Sequence, residues 1–173
     1  MRFSNQILTC GVHTLITKTH DTLLHMAASN GALQCLEYLL PLLPQHINSH
    51  NKYGHSPLMR AIIKKRLSCI KFLLQNNADV HIQDKHGQTA LHFVASKNCP
   101  EIVTLLVQCG ADPNCICNRL YTPLHCAAHY RDVQAMTILL EHGADSSLET
   151  QSGKTALELF VQSSIFMIVV RSF

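Results

Sequence analysis

No apolar run in this sequence is long enough to cross a bilayer. The longest late stretch, Ile165 to Val170, falls far short of the roughly 18 residues a spanning helix requires. Near the N-terminus, Arg2 is not followed by an apolar core of about 7–15 residues and a small-residue cleavage site. Neither a signal peptide nor a membrane anchor is therefore expected, and membrane insertion is not. Charge is sparse as well: charged residues make up 14% of the chain and the formal net charge is +3, too mild by itself to imply nucleic acid. The triplet Lys64-Lys-Arg66 is too short to count as a localisation signal.

Eight cysteines are present, but no Cys-x-x-Cys pair. A chain of 173 residues needs no disulfide staples to hold a core. Cys35 and Cys69 fall at apolar helix positions, where cysteine behaves as a small hydrophobe. Reduced thiols are expected, and with them a cytoplasmic location, the nucleus being the alternative. The length suits one compact domain or a short repeat array.

Self-similarity decides between those two. Thr22-Leu-Leu-His25, Ser56-Pro-Leu-Met59, Thr89-Ala-Leu-His92, Thr122-Pro-Leu-His125 and Thr155-Ala-Leu-Glu158 align, and their starts at 22, 56, 89, 122 and 155 are separated by 34, 33, 33 and 33 residues. Alanines at Ala27, Ala61, Ala95 and Ala127 keep the same phase, as do Leu39-Leu40, Leu73-Leu74, Leu105-Leu106 and Leu139-Leu140. Turn signals close the units at Asn77-Ala-Asp79, Gly110-Ala-Asp112 and Gly143-Ala-Asp145.

Each feature has a physical reason. A Thr or Ser hydroxyl caps the first helix. Pro57 and Pro123 occupy its first position, where a missing N–H is harmless. Leucine and alanines give that helix a narrow apolar face, and the small alanines permit close packing. The second helix is broader and greasier, with Ile102, Val103, Leu105 and Leu106 in one unit and Val133, Met136, Ile138, Leu139 and Leu140 in the next, at helical rather than alternating spacing. Gly110 and Gly143 suit the left-handed residue that ends it. One unit cannot bury its apolar face alone; a stack can.

Thr-Pro-Leu-His, the trailing alanines and Gly-Ala-Asp at this period resemble the ankyrin repeat, over about residues 19–162. The resemblance implies an all-α solenoid of about five helix-turn-helix units with projecting hairpin loops, at about 19–50, 51–83, 84–117, 118–150 and 151–162 onward. Residues 1–18 are read as an N-terminal cap or partial repeat, and 163–173 as an apolar tail or truncated last helix. Departures are visible. Leu23 replaces proline, and Pro41-Leu-Leu-Pro44 disturbs the end of the first unit. Lys65, Leu120 and Arg131 stand where the family has glycine, which predicts locally strained turns.

In the family the histidine of the motif links turns, and His25, His92 and His125 take that reading over metal ligation or base catalysis. Cys109, Cys115 and Cys117 near His86 and His142 lack a metal-site spacing, so no metal, cofactor or small-molecule ligand is predicted. Asn114 is read as a loop-ordering residue; hydroxylation, which the family sometimes undergoes there, is the alternative.

The resemblance also implies a non-catalytic protein-binding module acting through hairpin tips and a concave face. Carried over by position, that face includes Lys52, Tyr53, His55, Lys64, Lys85, His86, Lys97, Arg119, Tyr121, His129, Tyr130 and Lys154. The 25 carried-over positions hold seven of the 14 Lys and Arg residues but one of the 11 acids. Exposure alone would enrich both signs. Tyrosines add the residue type that dominates interface hot spots. The expected partner is a protein with an acidic peptide or patch, bound by an adaptor or scaffold. The alternatives are a substrate-recruiting part of a larger regulatory protein, such as a ubiquitin-ligase adaptor, and nucleic-acid binding through the same basic face. No residue is assigned to catalysis.

Overall fold

The computed structural model describes residues 18–171, with side chains through Ser163. The cap or partial repeat expected at 1–18 lies outside the described residues except for Lys18, and so do the side chains of the tail from 164 onward.

Four helix pairs and a final helix follow one another: α1 Leu23–Asn30 and α2 Leu33–Leu39, α3 Pro57–Ile63 and α4 Leu67–Gln75, α5 Ala90–Ala95 and α6 Pro100–Gln108, α7 Pro123–His129 and α8 Val133–Glu141, then α9 Ala156–Arg171. The first helices α1, α3, α5, α7 and α9 stack side by side as one layer, and the second helices lie behind them. No strand occurs among the described residues; the single bridge pairs Glu149 with Thr155.

The motif residues start the first helices. Ser56 Oγ accepts the Met59 amide at 3.3 Å, and Thr122 Oγ1 accepts that of His125 at 3.4 Å. Pro57 and Pro123 are the first helical residues after those caps. The leucine two positions past each cap is sealed in the core: Leu24, Leu58, Leu91 and Leu124 are at most 2% exposed. Ala28, Ala61, Ala95 and Ala127 are fully buried beside them, which lets neighbouring first helices pack closely. Leu73, Leu106 and Leu139 supply the second-helix side of the core. Each such leucine contributes about 2 kcal/mol by leaving water, so the stack rests on inter-unit burial.

Left-handed residues recur in register and set the unit's shape. They stand at the hairpin tip (His20, Gly54, Gly87, Leu120, Gly153), between the paired helices (Gly31, Lys65, Asn98, Arg131) and after the second helix (Asn77, Gly110, Gly143). The strained turns predicted at Lys65, Leu120 and Arg131 have φ of 54°, 57° and 59°. After the last of the three registers, Ala78, Ala111 and Ala144 donate back to Leu73, Leu106 and Leu139. The first unit has no such residue. Its second helix instead passes through buried Leu43 into a 3₁₀ turn, Pro44–His46, so the predicted distortion there is real.

In the fifth unit α9 runs unbroken from Ala156 to Arg171, with no break near Ser163-Ser164 to set off a second helix. The register that breaks the earlier units reaches Ser164 here, and no glycine, asparagine or proline follows Gly153. One sequence expectation needs correction: Cys35 is exposed rather than apolar core. The same position is buried in later units as Cys69, Ile102 and Ala135, each with a unit before it to cover it; no described unit precedes Cys35.

Candidate partner-binding face

Histidines rivet each unit to the next. The Thr22 backbone N–H donates to His25 Nδ1 at 3.1 Å, with the Thr22 hydroxyl 2.8 Å away. Because Nδ1 accepts that amide, the ring proton lies on Nε2, which donates to the His55 carbonyl of the following unit at 2.8 Å. His92 repeats this with Thr89 and the Tyr121 carbonyl, and His125 with Thr122 and the Lys154 carbonyl. All three rings are at most 1% exposed. Burial pushes their pKa values down, against the upward pull of the carbonyls they face. They are neutral fasteners spaced one unit apart. Met59 takes this place in the second unit and supplies no such bridge.

The hairpin tips form a second fastening. Lys52, Lys85, Asn118 and Gln151 each donate a backbone N–H to the preceding tip, at Thr19, Tyr53, His86 and Arg119, over 2.9 to 3.2 Å. Side chains at the tip base hold the turn: Asn51 Oδ1 accepts the Tyr53 and His55 amides, and Asp84 Oδ1 those of His86 and Gln88. Asn114 ties the opposite loops, donating to the Gly143 carbonyl at 2.9 Å and accepting the Asp145 amide at 2.7 Å. Backbone polar groups of the loops are thus satisfied between units.

On this frame, Lys52, Tyr53, Lys64, Lys85, His86, Arg119, His129 and Tyr130 are exposed, Tyr130 to 63%. Lys97, Tyr121 and Lys154 are half-buried. The Lys52 ammonium lies 4.9 Å from the Tyr53 ring centroid. His55 is less free than its neighbours: it lies 5.4 Å from the Phe93 ring, edge to face, and its Nε2 is 3.7 Å from Asp84 Oδ2. Burial lowers its pKa while Asp84 opposes the shift.

Among the described residues, the Lys and Arg ion pairs are Lys71–Glu101 at 2.8 Å and Arg60–Asp21 at 3.6 Å. Asp21 is the one acid among the carried-over positions. No Lys or Arg of that face forms an ion pair among the described residues, although Lys154 adds to the Thr155 hydrogen bonds that hold the Glu158 carboxyl down. Lys154 Nζ reaches the neutral Gln162 Oε1 at 2.5 Å.

Tyr121, His129, Tyr130 and Lys154 come together, with Arg131, Ser152, Leu159, Gln162 and Ser163, around a groove of about 680 Å³ between the fourth and fifth units. Tip-base residues and the ends of first helices therefore share one concavity. The groove places Arg131 and Leu159 beside residues the sequence had singled out. In the sequence Arg131 marks only a strained turn, and Leu159 carries no signal of its own.

The cysteines do not form a reactive centre. Cys115 Sγ is 3.3 Å from Thr89 Oγ1 and 3.7 Å from His92 Nδ1. Burial raises the Cys115 thiol and lowers the His92 imidazole, so the uncharged forms are favoured on both sides. Cys126 is pushed up to about 12 by burial, with Cys117 and Cys115 adding to it. Among the described residues, no three His, Cys, Asp or Glu side chains converge in a way that could hold a metal. No helix there is long and apolar enough to cross a membrane.

A family model described as ankyrin repeats (3 copies) matches residues 4–84, 24–117 and 91–169, which together span nearly the whole chain. This chain is an ankyrin-repeat protein. Among similar proteins is the target of rapamycin complex 2 subunit AVO2 of Saccharomyces cerevisiae, 33% identical over 81 residues, covering 46% of this chain and 19% of that protein. Human inversin is 36% identical over 73 residues, 42% of this chain and 7% of its own length. Human NF-kappa-B inhibitor epsilon is 32% identical over 85 residues, 49% of this chain and 17% of its own. The matched part is thus a small fraction of each relative. Ankyrin repeats generally mediate protein–protein interaction and are typically non-catalytic. The histidine rivets, tip bonds and left-handed registers described above are how this ankyrin array holds its binding surfaces in place.

Proposed function

We propose that this ankyrin array is an adaptor or scaffold that binds an acidic peptide, or the acidic patch of a folded protein, along its concave face. What supports it is a set of cations that form no ion pair among the described residues, Lys52, Lys64, Lys85, Lys97, Arg119 and Lys154, interleaved with Tyr53, Tyr121 and Tyr130. Such a face steers an anionic partner and sets its register, while tyrosines supply contact area at low entropy cost. The relatives' names are consistent with this role, one being a subunit of a complex and another an inhibitor of NF-kappa-B. The proposal includes a reducing compartment, the cytoplasm or alternatively the nucleus, since a chain of this size needs no disulfides to hold its core.

Lys64→Glu, Lys97→Glu and Arg119→Glu together are expected to abolish partner capture from lysate without changing helicity. Paired affinity capture with mass spectrometry checks this, after circular dichroism shows both baits equally helical. Partners rich in acidic segments and lost from the variant support the reading. Partners kept by both baits, or displaced by nonspecific duplex DNA, overturn it.

A further inference from the structure

We infer that the groove between the fourth and fifth units is an anchor pocket for one bulky apolar side chain of the acidic peptide, a leucine or a phenylalanine flanked by carboxylates. This rests on the reading of the concave face above and adds what the partner must carry besides charge.

The groove joins two chemistries. Its apolar lining includes Leu159, only 8% exposed, together with Tyr121 and Tyr130. The Tyr130 ring, 63% exposed, meets His129 edge to face at 5.1 Å. The lining also carries Arg131, whose guanidinium sits 5.9 Å from the Phe160 ring centroid, and Lys154, hydrogen-bonded to the Gln162 amide. Among the described residues, no carboxylate lines the groove. A volume of about 680 Å³ exceeds what one apolar side chain needs and leaves room for the backbone on either side of it.

Charge complementarity selects the occupant. Carboxylates flanking the anchor would meet Arg131 and Lys154, and the peptide could continue toward Lys97 and Lys64. Two grooves elsewhere lack the combination. One, lined by Leu40, Pro44, Ile47 and Phe72, carries Glu37 and no cation; the other, at Pro100, Val133 and Ile138, carries no charged residue.

The test is selection of randomised heptapeptides on phage against the immobilised full chain, then against Tyr130→Ala and against Lys64→Glu/Lys97→Glu. Tyr130 is exposed, so its truncation leaves the core intact; circular dichroism checks this. The expected consensus fixes one Leu or Phe next to Asp or Glu. A synthetic peptide of that consensus should weaken about tenfold or more when the anchor becomes alanine. That loss should largely vanish against Tyr130→Ala, while Lys64→Glu/Lys97→Glu weakens both peptides alike. An acidic consensus with no fixed apolar residue overturns the pocket and leaves the basic face standing. An apolar consensus without acids overturns the acidic reading and the proposal built on it. No enrichment over the starting library overturns both.

Discussion

Lowering the pH from about 7.5 to about 5.5 is expected to remove up to about 4 kcal/mol of folding stability, through His25, His92 and His125. Burial holds each ring's pKa in the folded chain below the 6.5 of an exposed histidine. The unfolded chain therefore takes up protons first. The stability from these rings is complete above the unfolded value and falls as the pH drops below it, until the folded rings protonate too. The limit is about 1.4 kcal/mol per ring per pH unit. Geometry adds a reason for the steepness: a protonated Nδ1 can no longer accept the threonine amide, and the bridge to the next unit is disturbed. The total stability of a folded protein is about 5–15 kcal/mol, so even part of that limit is a measurable shift. Asp21 acts in the same direction at lower pH. Its carboxyl is kept below the usual range, against burial, by Asn51, Thr19 and Arg60, so its contribution is lost only as the pH falls through that range. Urea unfolding by circular dichroism at both pH values checks this. A midpoint that does not move contradicts the neutral-fastener account of the histidines.

Gly54→Ala and Gly87→Ala are expected to cost about 2–4 kcal/mol each, from left-handed strain together with overpacking. Both positions have positive φ, 83° and 76°. A Cβ on Gly54 would stand 2.8 Å from the Lys85 amide nitrogen and 2.9 Å from Asp84 Cα; on Gly87 it would stand 2.7 Å from Asn118 Oδ1 and 3.0 Å from the Asn118 amide. These are the tips that the inter-unit backbone bonds hold together. At Gly54 the obstructing atoms are backbone, which cannot yield without breaking the bond. At Gly87 the Asn118 side chain can turn aside, but its backbone amide, held to His86, cannot. Gly110→Ala separates the two effects. Its φ is 88°, but nothing lies within 4 Å of the added Cβ, so about 1 kcal/mol of strain is expected alone. Leu120→Gly should act in the opposite sense, gaining about 1 kcal/mol, since a leucine there bears the same left-handed strain. Thermal and urea midpoints of the four variants decide. Gly87→Ala unfolding no earlier than Gly110→Ala would contradict the close approach of the tips.

Much of this fold was legible in the sequence because a repeat states each rule several times. A 33-residue period, threonine ahead of leucine and small residues behind it define a helix pair, and glycine recurring at the same turn positions exposes the exceptions. Lys65, Leu120 and Arg131 could be named as strained for that reason. What one sequence withholds is depth and context. Cys35 and Cys69 share a repeat position, but burial depends on whether a unit lies in front. His55 and His86 both come from hairpin tips, yet His55 is packed on Phe93 while His86 is exposed. The unbroken α9 follows from the absence of a stop signal, which is harder to read than its presence. The groove at Arg131 and Leu159 needs two units to exist, so no single unit's pattern contains it.

Binding through the proposed basic concave face must depend on salt, because ions screen exposed charges. The measurement is fluorescence anisotropy of an acidic partner segment, recovered by affinity capture, against the full chain. The account predicts weakening of about tenfold or more between roughly 0.05 and 0.3 M salt, with a much flatter profile for Lys64→Glu/Lys97→Glu/Arg119→Glu. An affinity indifferent to ionic strength in the unmodified chain would contradict it.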